Sequence, residues 1–289
     1  MIEKITSGMP EYPELLKEIR DFPKELYYIG NINLLKKQCA AVVGSRQTNQ
    51  YGRNTAFAIA GELAQKDVAV VSGMARGIDT CAHRGALKYG GNTVAVLGCG
   101  ADICYPKENE ALKKEIEKRA LVISEYPPHT APKRYYFPQR NRIISGLSEA
   151  VFVIQAGNSS GALITADFAA GQGRDVCAVP GNIDSICNLG SNKLIKEGAI
   201  PVITPGEALD VMKIKKINEK CRDSHGNHQG LGRTESRIYD LLMKYGEMTV
   251  DDICLIMKKP PSHIAGIVTV MELKGAVFSE LGKIFIAKY

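Results

Sequence analysis

No run of eighteen uninterrupted apolar residues occurs in the 289-residue chain, so the sequence predicts no membrane-spanning helix. Its opening stretch, MIEKITSGMPEYPELLKEIRDFP, places charges and prolines where a secretory signal would need an apolar segment. Eight cysteines are scattered along it without a CxxC pair. That spacing argues against a zinc site or a disulfide framework, and for a reducing compartment. A cytoplasmic protein without membrane association, metal or organic cofactor is therefore expected. Also missing are the phosphate-binding GxxxxGK[ST] and the metalloprotease HExxH, and no close carboxylate pair stands at a strand end. No cysteine has an obvious base beside it, because His83 and Cys81 are two apart and face away from each other on a helix. These absences point to a binding protein and not to an enzyme.

With 45% apolar and 24% charged residues, the composition is that of an ordinary globular protein. The length suits one large α/β domain with a small appendage, or two mid-sized domains. The net charge of +6 is mild but unevenly spread. Residues 213–233 hold six basic and two acidic side chains, whereas 234–289 hold seven of each. Residues 1–212 are close to neutral, so an anion-binding surface there must come from local clustering.

Apolar runs of strand length recur at Ala40–Val43, Val68–Val71, Thr93–Leu97, Leu121–Ile123, Val151–Ile154 and Val176–Val179, with a weaker one at Ile200–Ile203. Segments with helical spacing or composition separate most of them, at 51–66, 78–89, 107–119, 138–147, 161–172 and 190–198. Short, fully apolar strands alternating with helices predict a mostly parallel sheet covered on both faces. Right-handed crossovers make this a Rossmann-like, doubly wound α/β domain over 39–212. Residues 1–38 read as an N-terminal helical arm of short helices and turns. The charged, aperiodic stretch 213–233 reads as a basic linker. Beyond it, helices at 235–245, 249–257 and 261–273, then a hairpin from Ala276–Ser279 to Ile284–Ala287, have the order of a small C-terminal winged-helix domain, 234–289.

Ligands of a doubly wound sheet bind outside the carboxyl ends of its strands. The first strand is followed by Gly44-Ser45-Arg46, which supplies a close backbone approach, a hydroxyl and a charged fork. GxGxxG is missing there and no acid closes the second strand, which argues against a dinucleotide. After the second strand, Gly73, Arg76 and Gly77 open a helix and suit an anion, while Asp79 and His83 read as structural. After the fourth, residues 133–142 hold four basic and three aromatic side chains and no acid. Basic groups track phosphates while aromatic faces stack on bases, which is what single-stranded nucleic acid needs. After the fifth, Ser159, Ser160, Gly161 and Thr165 suit a phosphate at a helix start, and Lys193 could reach the same side.

In this order, GSR at 44–46, SGMARGID at 72–79, FPQRNRIISGLS at 137–148, SGALITADFAA at 160–170 and PGN at 180–182 resemble the DprA/Smf family of DNA-processing proteins over roughly 10–212. Residues 234–289 resemble the winged helix many members carry. The chain starts where the family's arm begins, which implies that the extra N-terminal helical domain of some members is absent. Phe22-Pro23 departs from the family's more usual Pro-Pro. The resemblance implies a homodimer that binds single-stranded DNA during natural transformation, protects the incoming strand, loads RecA recombinase and helps displace single-strand-binding protein. It implies phosphate contacts at Arg46 and Lys133, base stacking on Phe137, and Arg140, Asn141 and Arg142 lining the same groove. The loops Gly73–Gly77 and Ser159–Thr165 would touch the DNA backbone through main-chain groups. With Arg46, Lys133, Arg140 and Arg142 engaged, affinity should fall with salt at a slope of roughly −2 to −3.

The alternative is a nucleotide-binding or nucleotide-phosphoribohydrolase-like enzyme of the same fold. The PGGxGTxxE loop of such hydrolases corresponds to AGNSSGALITAD, where Ile164 or Thr165 falls at the glutamate position and Asp167 is displaced. That leaves it without its general base. The third C-terminal helix carries no lysine or arginine before Lys274, so 234–289 is expected to contact protein and not DNA.

Overall fold

The computed structural model describes residues 2–214, 231–280 and 282–287. They belong to two compact units, Met1–Lys215 and Lys216–Tyr289. Most of the basic linker expected at 213–233 lies outside the described residues.

The first unit begins with β1 (Glu3–Thr6), α1 (Glu14–Lys17) and β2 (Glu25–Gly30). It then alternates through β3 (Cys39–Val43), α2 (Gln50–Gln65), β4 (Ala69–Ser72), α3 (Ile78–Tyr89), β5 (Thr93–Leu97), α4 (Glu110–Arg119) and β6 (Leu121–Ser124). After α5 (Tyr136–Gly146) come β7 (Ala150–Val153), α6 (Gly161–Gly171), β8 (Asp175–Ala178), α7 (Leu189–Lys196), β9 (Ile200–Pro201) and α8 (Glu207–Val211). The Rossmann-like reading holds: one sheet runs β1-β2-β6-β5-β4-β3-β7-β8-β9, parallel from β6 to β9.

The chain enters the parallel region at β3, winds outward through β4, β5 and β6, and returns to the other flank of β3 for β7, β8 and β9. Strand order therefore reverses between β3 and β7. Loops leaving these two strands diverge, and a crevice is left at their carboxyl ends.

An all-helical arm does not form at 1–38. Among its described residues only α1 and a 3-10 turn at Ile32–Lys36 are helical, while β1 and β2 extend the sheet. β2 pairs antiparallel with β6, Tyr27 opposite Ser124 and Gly30 opposite Leu121. The run Leu26-Tyr27-Tyr28-Ile29 favours extended backbone, and its pairing covers what would otherwise be an open edge at β6.

Side chains alternate between two cores. Ala41 and Val43 of β3 face Ile116 of α4, Ile143 and Ile144 of α5 and Ala166 of α6. Ala40 and Val42 face Ile59 and Leu63 of α2, Ile78 of α3 and Leu209 of α8. Each fully buried Val, Leu or Ile contributes about 1.5–3 kcal/mol. One helix boundary matters for the site: α5 starts at Tyr136, two residues before Pro138. Proline fits a first turn because its missing N–H would have no helical partner there. Tyr136 and Phe137 are thereby fixed on the helix start instead of in a free loop.

The second unit comprises α9 (Arg233–Tyr245), β10 (Met248–Thr249), α10 (Val250–Met257), α11 (Pro261–Leu273), β11 (Val277–Glu280) and β12 (Lys283–Ile286). Its sheet is antiparallel in the order β10-β12-β11. Ile238, Leu242, Ile253, Ile264, Met271 and Ile284 form a separate core. Thr249 and Asp252 cap α10 reciprocally, and Lys274 ties the end of α11 to Glu235 of α9 at 2.7 Å.

Candidate nucleic-acid interface

A cleft of about 830 Å³ opens where the strand order reverses. Gly44, Ser45 and Arg46 after β3 line one side, and Ser159, Ser160, Gly161 and Thr165 after β7 line another. Phe137, Arg140 and Asn141 of α5 also contribute. One buried side chain organises the walls. The Gln155 amide oxygen accepts from the Thr48 hydroxyl at 2.7 Å and the Asn49 N–H at 3.3 Å. Its amide nitrogen donates to Asn49 at 3.1 Å and to Asn188 at 2.8 Å. The Gln155 carbonyl accepts the Ser45 N–H at 2.7 Å, so the loop after β3 and the turn before α7 are both tied to the end of β7. The Ser45 hydroxyl turns back onto the Gln47 carbonyl at 2.7 Å.

Arg46 is exposed, and its guanidinium lies 5.6 Å from the centre of the half-buried Phe137 ring. No carboxylate pairs with Arg46 among the described residues. A cation over an aromatic ring at this distance holds the ring without neutralising the charge. Arg134 lines the same cleft and is exposed. Asn141 donates to the Gly161 carbonyl at 3.2 Å and so joins α5 to the start of α6.

Several expected contacts lie elsewhere. In the loop after β4, the N–H groups of Gly73 and Ala75 donate to the Asp79 carboxylate at 3.1 and 3.3 Å. The anion at this helix start is thus the chain's own Asp79. Burial pushes its carboxyl up, while Arg140 and the two N–H groups pull it down. Arg76 pairs with Glu108. Gly77 adopts φ +76°, and a Cβ there would stand 2.4 Å from the Ser45 carbonyl oxygen, so its requirement is packing. None of Gly73, Arg76 and Gly77 lines the cleft.

Arg140 does line it, yet is only 4% exposed. Its guanidinium donates to the carbonyls of Gly73, at 2.6 Å, and Val96, and to Asn141 at 3.2 Å. Burial pushes it down to about 10, with Asp79 acting the other way, so it stays charged at neutral pH. Arg142 sits outside the cleft, bidentate to Glu125 at 2.6 and 2.9 Å and donating to the Asp21 carbonyl at 2.9 Å. Lys133 also lies outside the lining, its ammonium 5.9 and 5.6 Å from the ring centres of Tyr135 and Tyr136. Lys193 is outside too and faces Glu197 at 3.5 Å. The geometry therefore brings together Arg46, Arg134, Phe137, Asn141 and the small residues at 44–45 and 159–165.

The family model for DNA recombination-mediator protein A matches residues 3–213, spanning both flanks of the cleft. The chain belongs to that family. The DNA processing protein DprA of Streptococcus pneumoniae is 45% identical over 196 residues, covering 68% of this chain and 69% of that protein. Its crystal structure aligns with a TM-score of 0.70 and 41% identity, over 74% of this chain and 75% of that one. DNA processing protein A of Helicobacter pylori, whose structure concerns a single-stranded DNA binding mode, aligns at 0.67 with 26% identity, over 74% of this chain and 96% of that one.

In this recombination-mediator family member, Asp79 and His83 are each held by partners inside the fold, Asp79 by the Gly73 and Ala75 N–H groups and His83 by Thr93. His83 is buried, with Nδ1 2.7 Å from the Thr93 hydroxyl, which itself donates to the Val70 carbonyl at 2.8 Å. The Thr93 proton being used, Nδ1 carries the imidazole hydrogen. Burial pushes His83 down to about 3. Among the cysteines, burial raises the thiols of Cys39 and Cys177 to about 12. Gly157-Asn158-Ser159-Ser160-Gly161 spells GxSxG between a strand and a helix, a hydrolase pattern that a strand-end reading for phosphate passes over. No histidine lines the cleft among the described residues, so no imidazole is placed to take the Ser159 proton. Ser160 instead caps α6, accepting the Ala162 N–H at 3.3 Å. Sequence reasoning missed Tyr105, Gln155 and the part of Arg134 in the cleft. Tyr105 follows β5, a strand end like those that were read, and its ring was the available signal.

Proposed function

We propose that this protein binds single-stranded DNA in the cleft between β3 and β7. On this reading it acts as a homodimer in natural transformation, protects incoming strands, helps displace single-strand-binding protein and loads RecA. The observation that carries the binding reading is Arg46 poised over Phe137 with no carboxylate partner among the described residues, and Arg134 on the same cleft. Cations hold phosphates, and an aromatic face is useful only to bases that are free to leave a duplex stack. The RecA, single-strand-binding protein and homodimer roles rest on family membership.

With Arg46 and Arg134 each neutralising one phosphate, the salt slope should be about −1.4, shallower than when Arg140 and Arg142 are counted. Binding of a fluorescent oligo-dT and its matching duplex at two salt concentrations tests this. Single-strand preference that weakens in Arg46→Ala and Arg134→Ala supports the reading, whereas no binding to either form overturns it. Lys133→Ala should have less effect than Arg134→Ala. Ile164 and Thr165 occupy the cleft where a phosphoribohydrolase would need its glutamate, and Asp79, already held by two N–H groups, is the only carboxylate among the described lining residues. That composition favours binding over hydrolysis.

We read the second unit as a winged helix that contacts protein. Leu255 on α10 is 78% exposed and Leu273 at the end of α11 is 84% exposed. Removing residues 216–289 should therefore leave oligo-dT affinity unchanged, and a large loss would place DNA contacts in that part of the chain.

A further inference from the structure

Phe137 is not alone in the cleft. The Tyr105 ring, from the loop between β5 and α4, lies 5.3 Å from it centre to centre, with the two planes inclined at 33°. The two rings differ in freedom. Phe137 is half-buried against the chain at Gly98, where even a Cβ would come within 3.0 Å of the Phe137 ring. Tyr105 is 45% exposed. Phe137 is thus backed by main chain, while Tyr105 can swing towards solvent by side-chain rotation.

We propose that Tyr105 is a second stacking face, and that a nucleobase of the bound strand inserts between the Tyr105 and Phe137 rings. The inference rests on the single-strand reading of the cleft. At 5.3 Å the rings touch each other and leave no room for a base. Two stacking separations are needed for a sandwich, so Tyr105 turns outward as the base enters and then closes on its far side. The inserted base replaces one ring–ring contact by two ring–base contacts, which is a net gain in stacking for the complex. The gain comes from ring faces and not from ionic contacts, so it is independent of salt, unlike that from Arg46 and Arg134. Neither face reads a base edge, so the clamp accepts any base able to leave a stack.

The test uses the whole chain and an oligo-dT carrying one 2-aminopurine, whose fluorescence is quenched when an aromatic ring stacks on it. Tyr105→Ala should weaken binding roughly five- to 150-fold, as loss of one stacking face would, and should reduce the quenching on saturation. The salt slope should stay unchanged. Tyr105→Phe should restore both affinity and quenching, while Tyr105→Leu, which keeps apolar bulk beside Phe137, should not. Equal or tighter binding by Tyr105→Ala would show that Tyr105 merely covers Phe137, and would overturn the clamp. Full activity in Tyr105→Leu would do the same. Failure of the single-strand reading looks different: wild type itself would then bind no oligo-dT at any salt concentration.

Discussion

The ten residues from Lys133 to Arg142 divide into an outward and an inward half. In the first, Lys133, Arg134 and Tyr135 are exposed, and Phe137 meets Arg46 at the cleft. In the second, Arg140 is buried on the carbonyls of Gly73 and Val96, and Arg142 is locked to Glu125. Four basic residues therefore yield one exposed cleft cation, Arg134, with Arg140 buried in the lining and the other two outside it. A guanidinium engaged by carbonyls and carboxylates inside the fold has few donors left for phosphate, however basic the segment looks. The loop after β4 follows the same logic, since Asp79 occupies the N–H groups that an external anion would have used.

The largest expected effect sharpens this division. Arg140→Ala should cost about 3–5 kcal/mol of folding stability, because it strips two buried carbonyls of their donor and leaves Asp79 without its nearby cation. Urea unfolding measures the loss. Arg140→Lys should recover only part of it, since an ammonium cannot reproduce the guanidinium fork. A variant of normal stability that bound DNA poorly would return Arg140 to the outward class.

Acid should act next on the buried titratable groups near Arg140. His83 is held at about 3 against an ordinary 6.5, so the neutral form is favoured on folding. Its contribution is fully present above pH 6.5 and is lost as pH falls towards 3, at up to about 1.4 kcal/mol per pH unit. Asp79 has the opposite sign, because its carboxyl is raised on folding and its protonation at low pH offsets part of the loss. Unfolding free energies of wild type and His83→Asn between pH 7 and 4 separate the two. Parallel curves would remove His83 as the acid-sensitive group.

For the outward half, Phe137→Ala should weaken oligo-dT binding by about 1–3 kcal/mol without altering the salt slope. The smallest effect is the most discriminating. Arg46→Ala should flatten the slope by about 0.7, and Arg142→Ala should leave it unchanged. Salt titrations by fluorescence anisotropy decide this, and equal slopes in all three proteins would erase the distinction between engaged and available arginines.

The alternation of short apolar strands and helices was legible from composition alone, because a strand buried on both faces must be apolar at every position. The extension of the sheet by β1 and β2 was not, since two short segments near prolines become strands only when β6 offers an edge to pair with. Motif positions were legible as strand-end loops, which is why Arg46, Phe137, Asn141 and the 159–165 loop all reached the cleft. Their contacts were not. Gln155 joins partners 106 and 33 residues away, and Arg140 reaches back 67 residues to Gly73.

By itself the sequence determined the doubly wound class and which strand-end segments reach the cleft, because periodicity and local composition encode these over short spans. Tertiary structure alone decided which arginines remain available, which glycines serve packing, and that Tyr105 meets Phe137. Those outcomes depend on which carbonyl, carboxylate or ring lies opposite a side chain after the strands are ordered, and a donor paired across the sheet looks no different in the sequence from one left open to solvent.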